Sequence, residues 1–201
     1  IDSLRPTPPV TILMAKKPSQ RTTALGKFNS PITSISISND DKSLLITCGA
    51  YTNNIATVYM SNSDITTMSM NNTNSSNFTA KNGTGLPLIP AYSSLFEMTD
   101  NKRVLVGTES GLYSTTDITA GSPVWAKESA GFPNVPVFQL RQQTFPSYQC
   151  YNNGIIYAAT HGRGLWSTDK YAVPYAIGIE ENEVKLSANE NLKLYPNPAA
   201  D

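Results

Sequence analysis

Two stretches of this sequence decide the fold: residues 102–117, KRVLVGTESGLYSTTD, and residues 153–169, NGIIYAATHGRGLWSTD. Each contains an apolar strand pattern, a Thr and a tight turn with glycine, followed by Leu-aromatic-Ser-Thr and an Asp. An apolar run that enters a glycine turn and leaves as a second short run is typical of a β-hairpin. The recurrence of the whole unit indicates an internal repeat.

A third, looser copy of the unit is KSLLITCGAYTNNIATVYMSNSD at residues 42–64, where the hairpin loop is longer. The matching aromatic residues are Tyr59, Tyr113 and Trp166, which are separated by 54 and 53 residues. A period of about 50 residues with several strands in each repeat is typical of β-propeller blades. The repeat therefore predicts blades.

Burial gives the physical reason for the repeat. A small twisted sheet has two apolar faces, and stacking the sheets covers both faces while leaving only short edges. We expect the recurring aromatic residues, with Leu112 and Leu165 before the last two, to pack between neighbouring blades. Gly111 and Gly164 are expected to supply the positive φ that a hairpin turn needs.

The remaining patterns are also those of short strands, and no long segment keeps a helical apolar stripe. Strand patterns occur at residues 32–38, 43–48, 55–60, 103–106, 155–159 and 165–166, and turn residues occur at 39–41, 100–102 and 152–154. In the first of these, Ile35 and Ile37 are expected on one face. QLRQQT at residues 139–144 is interpreted as an exposed strand face, with a polar binding strand as the alternative.

The predicted fold class is therefore all-β: three consecutive blades of a propeller in an incomplete ring, with Asp-box or sortilin-like character. The blades are placed at about 31–85, 86–135 and 136–171. Residues 1–30, which contain four prolines, are interpreted as an extended segment or the remnant of a preceding blade. Residues 172–191 have the composition of a linker. Because propellers have about 4–8 blades, we expect the complete protein to extend further at its N-terminal side.

The composition excludes several functional classes. The chain has 201 residues, of which 15% are charged, and 15 basic residues balance 15 acidic ones. Zero net charge gives no attraction to nucleic acid or to an anionic membrane. No apolar run approaches the roughly 18 residues of a membrane helix. Since the chain starts at Ile1 without a signal-peptide pattern, we expect any targeting signal to lie upstream.

The sequence has two cysteines, Cys48 and Cys150, and they lack metal-ligand spacing. Two buried thiols are the preferred interpretation because cysteine is among the most buried residue types. A single disulfide remains the alternative if the protein resides in an oxidising compartment.

The last residues, LKLYPNPAAD, resemble the opening motif of the type A C-terminal sorting domain of the Bacteroidota type IX secretion system. The matching residues are Leu192, Leu194, Tyr195, Pro196, Asn197, Pro198 and Asp201. Pro-Asn-Pro forms a rigid turn, because two fixed φ angles flank an Asn that caps readily. The resemblance implies recognition of residues 192–201 by the type IX translocon and an outer-membrane shuttle protein, and secretion or display on the cell surface.

Residues 31–171 resemble the last propeller blades of large secreted Bacteroidota proteins, notably in PITSISIS, NVPVFQLRQQT and GIIYAATHGRGLWSTD. That resemblance implies a non-catalytic scaffold or adhesion domain whose further partner is a surface polysaccharide or a protein. Two alternatives remain. One is an accessory part of a secreted glycosidase or protease with its catalytic residues upstream, and the other is a gliding or attachment module.

A catalytic role for the chain itself is disfavoured. The Asp-box pattern of glycosidase propellers is degraded here, because Trp125 follows residues 114–117 only after an insertion. A sialidase would need an arginine cluster, whereas Arg103, Arg141 and Arg163 lie at different points of the repeat. The single histidine, His161, allows neither a Ser-His-Asp triad nor a multi-histidine metal site. It is interpreted as a turn residue, with a contact at the rim as the alternative.

Asp64, Asp117 and Asp169 recur at one position of the repeat. They are predicted to cap turns by accepting hydrogen bonds from backbone N–H groups. A calcium site is the alternative, weakened because hard cations need several oxygen ligands. No catalytic, cofactor-binding or metal-ligating residue is predicted.

Overall fold

The computed structural model describes residues 10–14, 23–51, 55–68, 77–128 and 131–172. Within these ranges the regular secondary structure is almost entirely strand, which confirms the all-β prediction. The strands of the described ranges are β1 Val10–Met14, β2 Thr23–Phe28, β3 Ile32–Ile37, β4 Leu44–Cys48, β5 Val58–Ser61, β6 Phe78–Ala80, β7 Ala91–Glu97, β8 Asp100–Thr108, β9 Gly111–Thr115, β10 Trp125–Lys127, β11 Val137–Gln142, β12 Ile156–Thr160 and β13 Gly164–Thr168.

These strands form antiparallel sheets in which neighbours in the sequence are also neighbours in space. We name them sheet 1 (β1–β2), sheet 2 (β3–β6), sheet 3 (β7–β10) and sheet 4 (β11–β13). None of the sheets closes on itself. Each successive strand returns alongside the last, so every sheet is built from local hairpins.

Three apolar clusters lie between successive sheets, so the sheets are stacked in sequence order. Leu25 and Phe28 of sheet 1 pack with Leu44, Ile46 and Phe78 of sheet 2. Sheets 2 and 3 share a second cluster, which includes Leu45, Val58, Met60, Val104, Val106, Tyr113 and Trp125. Sheets 3 and 4 share a third, which includes Leu105, Leu112, Val137, Leu140, Ile156 and Ala158. Stacking therefore removes both faces of sheets 2 and 3 from water over much of their area.

The first strands of sheets 2, 3 and 4 share the same irregularities. Each has a register shift near its start, between Ile32 and Ser34, between Ala91 and Ser93, and between Val137 and Gln139. Each is also preceded by a proline whose carbonyl oxygen accepts a hydrogen bond from the residue after the second strand. These bonds are Gly49 N to Pro31 O at 2.9 Å, Glu109 N to Pro90 O at 3.0 Å, and His161 N to Pro136 O at 2.9 Å. The repeat therefore extends to backbone hydrogen bonds.

The first strands of consecutive sheets lie side by side, joined by small polar side chains. Ser36 Oγ donates to the Ser94 carbonyl oxygen at 2.7 Å, and the Leu140 amide donates to Ser93 Oγ at 3.0 Å. Serine allows two backbones to approach closely and supplies the hydrogen bonds that their buried polar groups need.

A buried carboxylate lies where β7 ends. Glu97 is 0% exposed, and it accepts from Thr99 Oγ1 at 2.6 Å and from Gln142 Nε2 of sheet 4 at 3.3 Å. Arg103 is 3.6 Å away, and Asn39 Nδ2 of sheet 2 donates to the Glu97 carbonyl oxygen at 2.8 Å. A buried charge is tolerated when it is paired and hydrogen-bonded. Together with the Asn39 bond to the backbone carbonyl, these contacts of Glu97 connect sheets 2, 3 and 4.

Two features differ from what the sequence patterns predict. Ile35 and Ile37 do share a face, but they are 48% and 53% exposed, whereas Ile32 at the start of the same strand packs against the cluster between sheets 1 and 2. The turn expected at residues 100–102 lies instead at residues 98–99, since β8 already begins at Asp100.

The cysteines occupy different environments. Both are free thiols; Cys48 is buried in the cluster between sheets 1 and 2, whereas Cys150 is half-buried. Burial raises the pKa of Cys48 to about 12, because the thiolate would lose its hydration. Cys150 Sγ donates to the Phe145 carbonyl oxygen at 3.3 Å. Cys48 therefore acts as a small apolar side chain in the core.

Candidate binding rim at one end of the sheet stack

The register shifts of the first strands all lie at the same end of the stack. At each shift one residue is unpaired, and these residues are Thr33, Tyr92 and Phe138. A bulge interrupts the alternation of side chains between the two faces and re-aims the extra residue. The residues that bond the prolines, Gly49, Glu109 and His161, lie at the same end.

In sheets 3 and 4 this end carries a row of rings. The centroids of Tyr92 and Phe138 are 5.1 Å apart with an interplanar angle of 69°. Those of Phe138 and His161 are 5.6 Å apart at 67°. Edge-to-face contacts of this kind are the favoured arrangement of aromatic pairs. Phe138 is still 48% exposed, so much of its ring faces solvent.

A carboxylate and a second tyrosine complete the group. Tyr92 OH donates a hydrogen bond to Glu109 Oε2. Burial, followed by this hydrogen bond to Glu109, raises the pKa of Tyr92 well above its usual value. Tyr51, which is 74% exposed, lies beside Tyr92. We call Tyr51, Tyr92, Glu109, Phe138 and His161 the aromatic rim.

Sheet 2 shows that the fold does not need these rings. Its equivalent positions hold Thr33 and Gly49, and Thr33 Oγ1 bonds the Ala91 carbonyl oxygen and lies 3.0 Å from Thr47 Oγ1. The same bulge and the same proline hydrogen bond therefore form with small residues. The rings of sheets 3 and 4 are therefore not required for the bulge or for the proline hydrogen bond. They place an exposed ring, Phe138, against Tyr92, which in turn contacts the Glu109 carboxylate.

Sequence reasoning identified only His161 of this group. A usable signal is present in hindsight: the rim rings follow their prolines by two residues, in Pro90-Ala91-Tyr92 and Pro136-Val137-Phe138. The sequence pattern gives no indication of a bulge, so these aromatic residues could not be separated from residues that face the core.

The recurring aromatic residues occupy one register position. Tyr113 and Trp166 lie opposite Val106 and Ala158 of the second strand of their sheets, and Tyr59 lies opposite Ile46. Tyr113 is buried between sheets 2 and 3. Tyr59 is half-buried, with its ring centroid 5.0 Å from that of Phe28 in sheet 1.

Trp166 is less covered than its counterparts, at 36% exposed. Its ring centroid lies 5.5 Å from that of Phe132, and its indole N–H donates to the Arg163 carbonyl oxygen at 3.0 Å. The leucines before the last two aromatic residues differ more strongly: Leu112 is 5% exposed and Leu165 is 68% exposed. The position recurs, but its degree of burial does not.

The turn residues have repeated geometry. Gly111 and Gly164 have φ values of 113° and 74°, where a side chain would be strained. Thr108 Oγ1 donates to the Gly111 carbonyl oxygen at 2.8 Å, and Thr160 Oγ1 donates to that of Gly164 at 2.7 Å. The threonine before each turn therefore closes it.

Two of the three recurring aspartates bond a threonine two residues later. Asp64 Oδ1 accepts from Thr66 N at 2.8 Å, and Asp117 Oδ1 accepts from Thr119 N at 2.9 Å. Hydrogen bonds from these threonines lower the pKa of both aspartates. The threonine hydroxyl has the largest effect, and the threonine backbone N–H adds to it. Asp169 differs, in that its carbonyl oxygen accepts from the Ala172 amide at 2.8 Å. Among the described residues, no group of three or more His, Cys, Asp or Glu could hold a metal ion.

The arginines weighed for a glycosidase lie in separate surroundings. Arg103 pairs with Glu97 and with Asp100 at 3.8 Å, and it lies 5.5 Å from the centroid of the Tyr171 ring. Arg141 is an exposed residue of β11, and Arg163 lies in the turn before β13. The structure does not bring them together.

The sorting motif at residues 192–201 and the acidic segment before it lie outside the described residues. In the part of the chain that the structure does describe, no helix has the length and apolar character needed to cross a membrane.

No protein-family model matches this sequence, and no curated protein matches it either.

Proposed function

We propose that this chain is the non-catalytic part of a secreted or cell-surface β-propeller protein, and that its three larger sheets are consecutive blades. The observation that carries the proposal is the alignment of β3, β7 and β11, which lie side by side with the same bulge and the same proline hydrogen bond. In a propeller the sheets are arranged around a central channel. A row of adjacent first strands is the arrangement that this architecture requires.

The activity we assign to these blades is adhesion through the aromatic rim, with a surface polysaccharide as the ligand. Sugar rings have apolar C–H faces that pack on aromatic rings, and they have hydroxyl groups that donate to carboxylates. Phe138 supplies an exposed ring, and Glu109 supplies the carboxylate beside Tyr92. Because the equivalent positions of sheet 2 form the same bulge without rings, binding is the role that we assign to the rings of the rim.

The test is a binding titration of the chain against a panel of soluble neutral and acidic polysaccharides. We expect saturable binding to at least one of them, and we expect Phe138→Ala to weaken it by about tenfold. Tyr151→Ala is the matched control, since Tyr151 is fully exposed and lies outside the rim. Absence of saturable binding across the panel, or an equal loss in both variants, would refute adhesion through the rim.

We further propose that the protein is type IX secretion cargo, read through the motif around Tyr195-Pro196-Asn197-Pro198. The support for this proposal is the sequence resemblance alone. In the native host, Tyr195→Ala combined with Asn197→Ala should move the protein from the cell surface or medium into the periplasm. Asn191→Ala, just outside the motif, is the control. Unchanged export of the double variant would contradict the proposal.

A further inference from the structure

A groove of about 490 Å³ opens between sheets 3 and 4. Apolar side chains from both sheets line it: Leu105 and Leu112 from sheet 3, and Ile156, Ala158 and Trp166 from sheet 4, with Phe132 nearby. Lys170 and Glu128 form an ion pair of 3.2 Å beside it. The groove is thus an apolar slot with a polar edge, and it is large enough for an aromatic side chain.

The two interfaces earlier in the stack show what occupies this slot elsewhere in the molecule. Between sheets 2 and 3 the occupant is Trp125, the first residue of β10, which is 4% exposed. Its indole N–H donates to the Lys81 carbonyl oxygen at 2.9 Å. Between sheets 1 and 2 the occupant is Phe78, the first residue of β6, with its ring centroid 5.3 Å from that of Phe28. In both cases an aromatic residue that opens the fourth strand fills the gap.

Sheet 4 has no fourth strand among the described residues. The fourth strands of sheets 2 and 3 pair with the third, with Phe78 opposite Ser61 and Trp125 opposite Thr115. Thr168 of β13 holds the position equivalent to Thr115, because it pairs with the second strand as Thr115 does. Within the described part of the chain, the outer edge of β13 therefore lacks a strand partner. Such an edge is a template for another strand.

We propose that this groove and this edge receive the chain's own segment at residues 175–177, with Tyr175 in the slot. Tyr175-Ala176 repeats the aromatic-small pair of Trp125-Ala126 and Phe78-Thr79. Pro174 comes just before it, as Pro123 comes shortly before Trp125. The inference does not depend on the propeller or on the adhesive role, since it uses only the register of the sheets.

The connection is long enough, and the chemistry of the slot suits a tyrosine. Six residues separate Thr168 from Tyr175, whereas nine separate Thr115 from Trp125, and hairpin loops are commonly shorter than either. A covalent tether of this length gives an effective concentration of about millimolar or above. Lys170 and Glu128 at the edge of the groove offer hydrogen-bond partners to a phenol, as the Lys81 carbonyl does to the Trp125 indole.

Hydrogen exchange of the full chain, followed by mass spectrometry, tests the proposal. In the wild-type chain we expect the amides of β13 to be protected to the level of β9, which is paired on both sides. Tyr175→Ser should speed exchange across β13 by about tenfold or more and leave β9 unchanged. Acrylamide quenching of tryptophan fluorescence should also rise in Tyr175→Ser. Trp166 lines the groove and would become more accessible, whereas Trp125 stays buried.

Val184→Ser is the matched control, because Val184 is an apolar residue of the same C-terminal region. It should leave both exchange and quenching at the wild-type level. The proposal is overturned if β13 of the wild-type chain exchanges as an open edge, or if Tyr175→Ser changes nothing. It is also overturned if Val184→Ser has the larger effect, which would assign the slot to residues 183–187 instead. A loss of protection throughout the molecule in Tyr175→Ser would likewise count against a local docking role.

Discussion

Sheets 3 and 4 are built from nearly the same local sequence, yet their third strands have very different surroundings. Gly111-Leu112-Tyr113 and Gly164-Leu165-Trp166 start β9 and β13 in the same register against the second strand. Leu112 is 5% exposed because sheet 4 covers it, whereas Leu165 is 68% exposed. The local pattern thus determines the strand and its pairing, and the neighbouring sheet determines how much a side chain contributes to stability.

The largest expected difference concerns the two tryptophans. Trp125→Ala removes a ring buried between sheets 2 and 3 and leaves the Lys81 carbonyl oxygen without its indole partner. We expect it to lower the free energy of unfolding by about 4 kcal/mol, as measured by urea denaturation. Trp166→Ala should cost about half as much, because its ring is 36% exposed. Equal losses for the two variants would show that the interface of sheet 4 is as well covered as that of sheet 3.

The leucines provide a comparison in which side-chain chemistry is held constant. Leu112→Ala should destabilise the protein by about 3 kcal/mol, since it creates a cavity against sheet 4. Leu165→Ala should cost less than about 0.5 kcal/mol, the usual range for exposed positions. Thermal unfolding of the two variants under identical conditions measures the difference. A large loss in Leu165→Ala would mean that another part of the protein covers the outer face of sheet 4.

Gly107 of sheet 3 and Ala159 of sheet 4 occupy equivalent positions. Here the difference in covering between the two sheets is tested by enlarging a side chain instead of removing one. Gly107 lies opposite Leu112, and a Cβ placed there would come within 2.7 Å of the Val137 carbonyl oxygen of sheet 4. A backbone oxygen cannot move aside as a flexible side chain can. Gly107→Ala should therefore lower the free energy of unfolding by about 2 kcal/mol. The equivalent residue of sheet 4 is Ala159, which already carries a Cβ.

Ala159→Ser is the control for this pair and should change stability by less than about 0.5 kcal/mol. Calorimetry of both variants measures the two changes in stability. If Gly107→Ala instead raised stability, by the few tenths to about 1 kcal/mol that glycine replacement gives at unstrained sites, the close approach of sheets 3 and 4 would be refuted.

The hairpins of sheets 3 and 4 were predictable because their signals are local. A glycine that must adopt positive φ, preceded by an apolar run and followed by Leu-aromatic-Ser-Thr, determines both strands and the turn between them. The all-β class and the common position of Tyr59, Tyr113 and Trp166 follow from these signals. Residues 192–201 show a different limit of sequence-based prediction. The resemblance of a motif to a known family says nothing about which other residues the motif contacts.

What the sequence did not reveal depends on contacts between distant segments. β2 contains Gly26, which breaks the strand pattern, yet a Cβ there would meet the Phe78 ring at 2.7 Å. Tyr92 and Phe138 reach the rim only because the first strands bulge. A bulge is set by the pairing of two strands, so it leaves no periodic trace in either one.

The smallest expected effect concerns the turn that sheets 2 and 3 share and sheet 4 lacks. Asp117-Ile118-Thr119 places a threonine two residues after the aspartate, where sheet 4 has Tyr171 after Asp169. Hydrogen bonds from Thr119 hold the pKa of Asp117 below its ordinary value of 3.8. A carboxyl whose pKa is lower in the folded chain stabilises the fold above its unfolded pKa, and this contribution is lost as the pH falls through the folded pKa.

Asp117→Asn keeps the shape and the acceptor oxygen of the side chain but removes its titration. The wild-type chain should therefore be slightly the more stable at about pH 6, and the difference should disappear at about pH 2. Urea midpoints at the two pH values measure it, and carboxyl NMR shifts of Asp117 report the pKa directly. A pKa at or above 3.8 would show that the Thr119 hydrogen bonds do not persist in solution, and the contrast between the turns of sheets 3 and 4 would then rest on sequence alone.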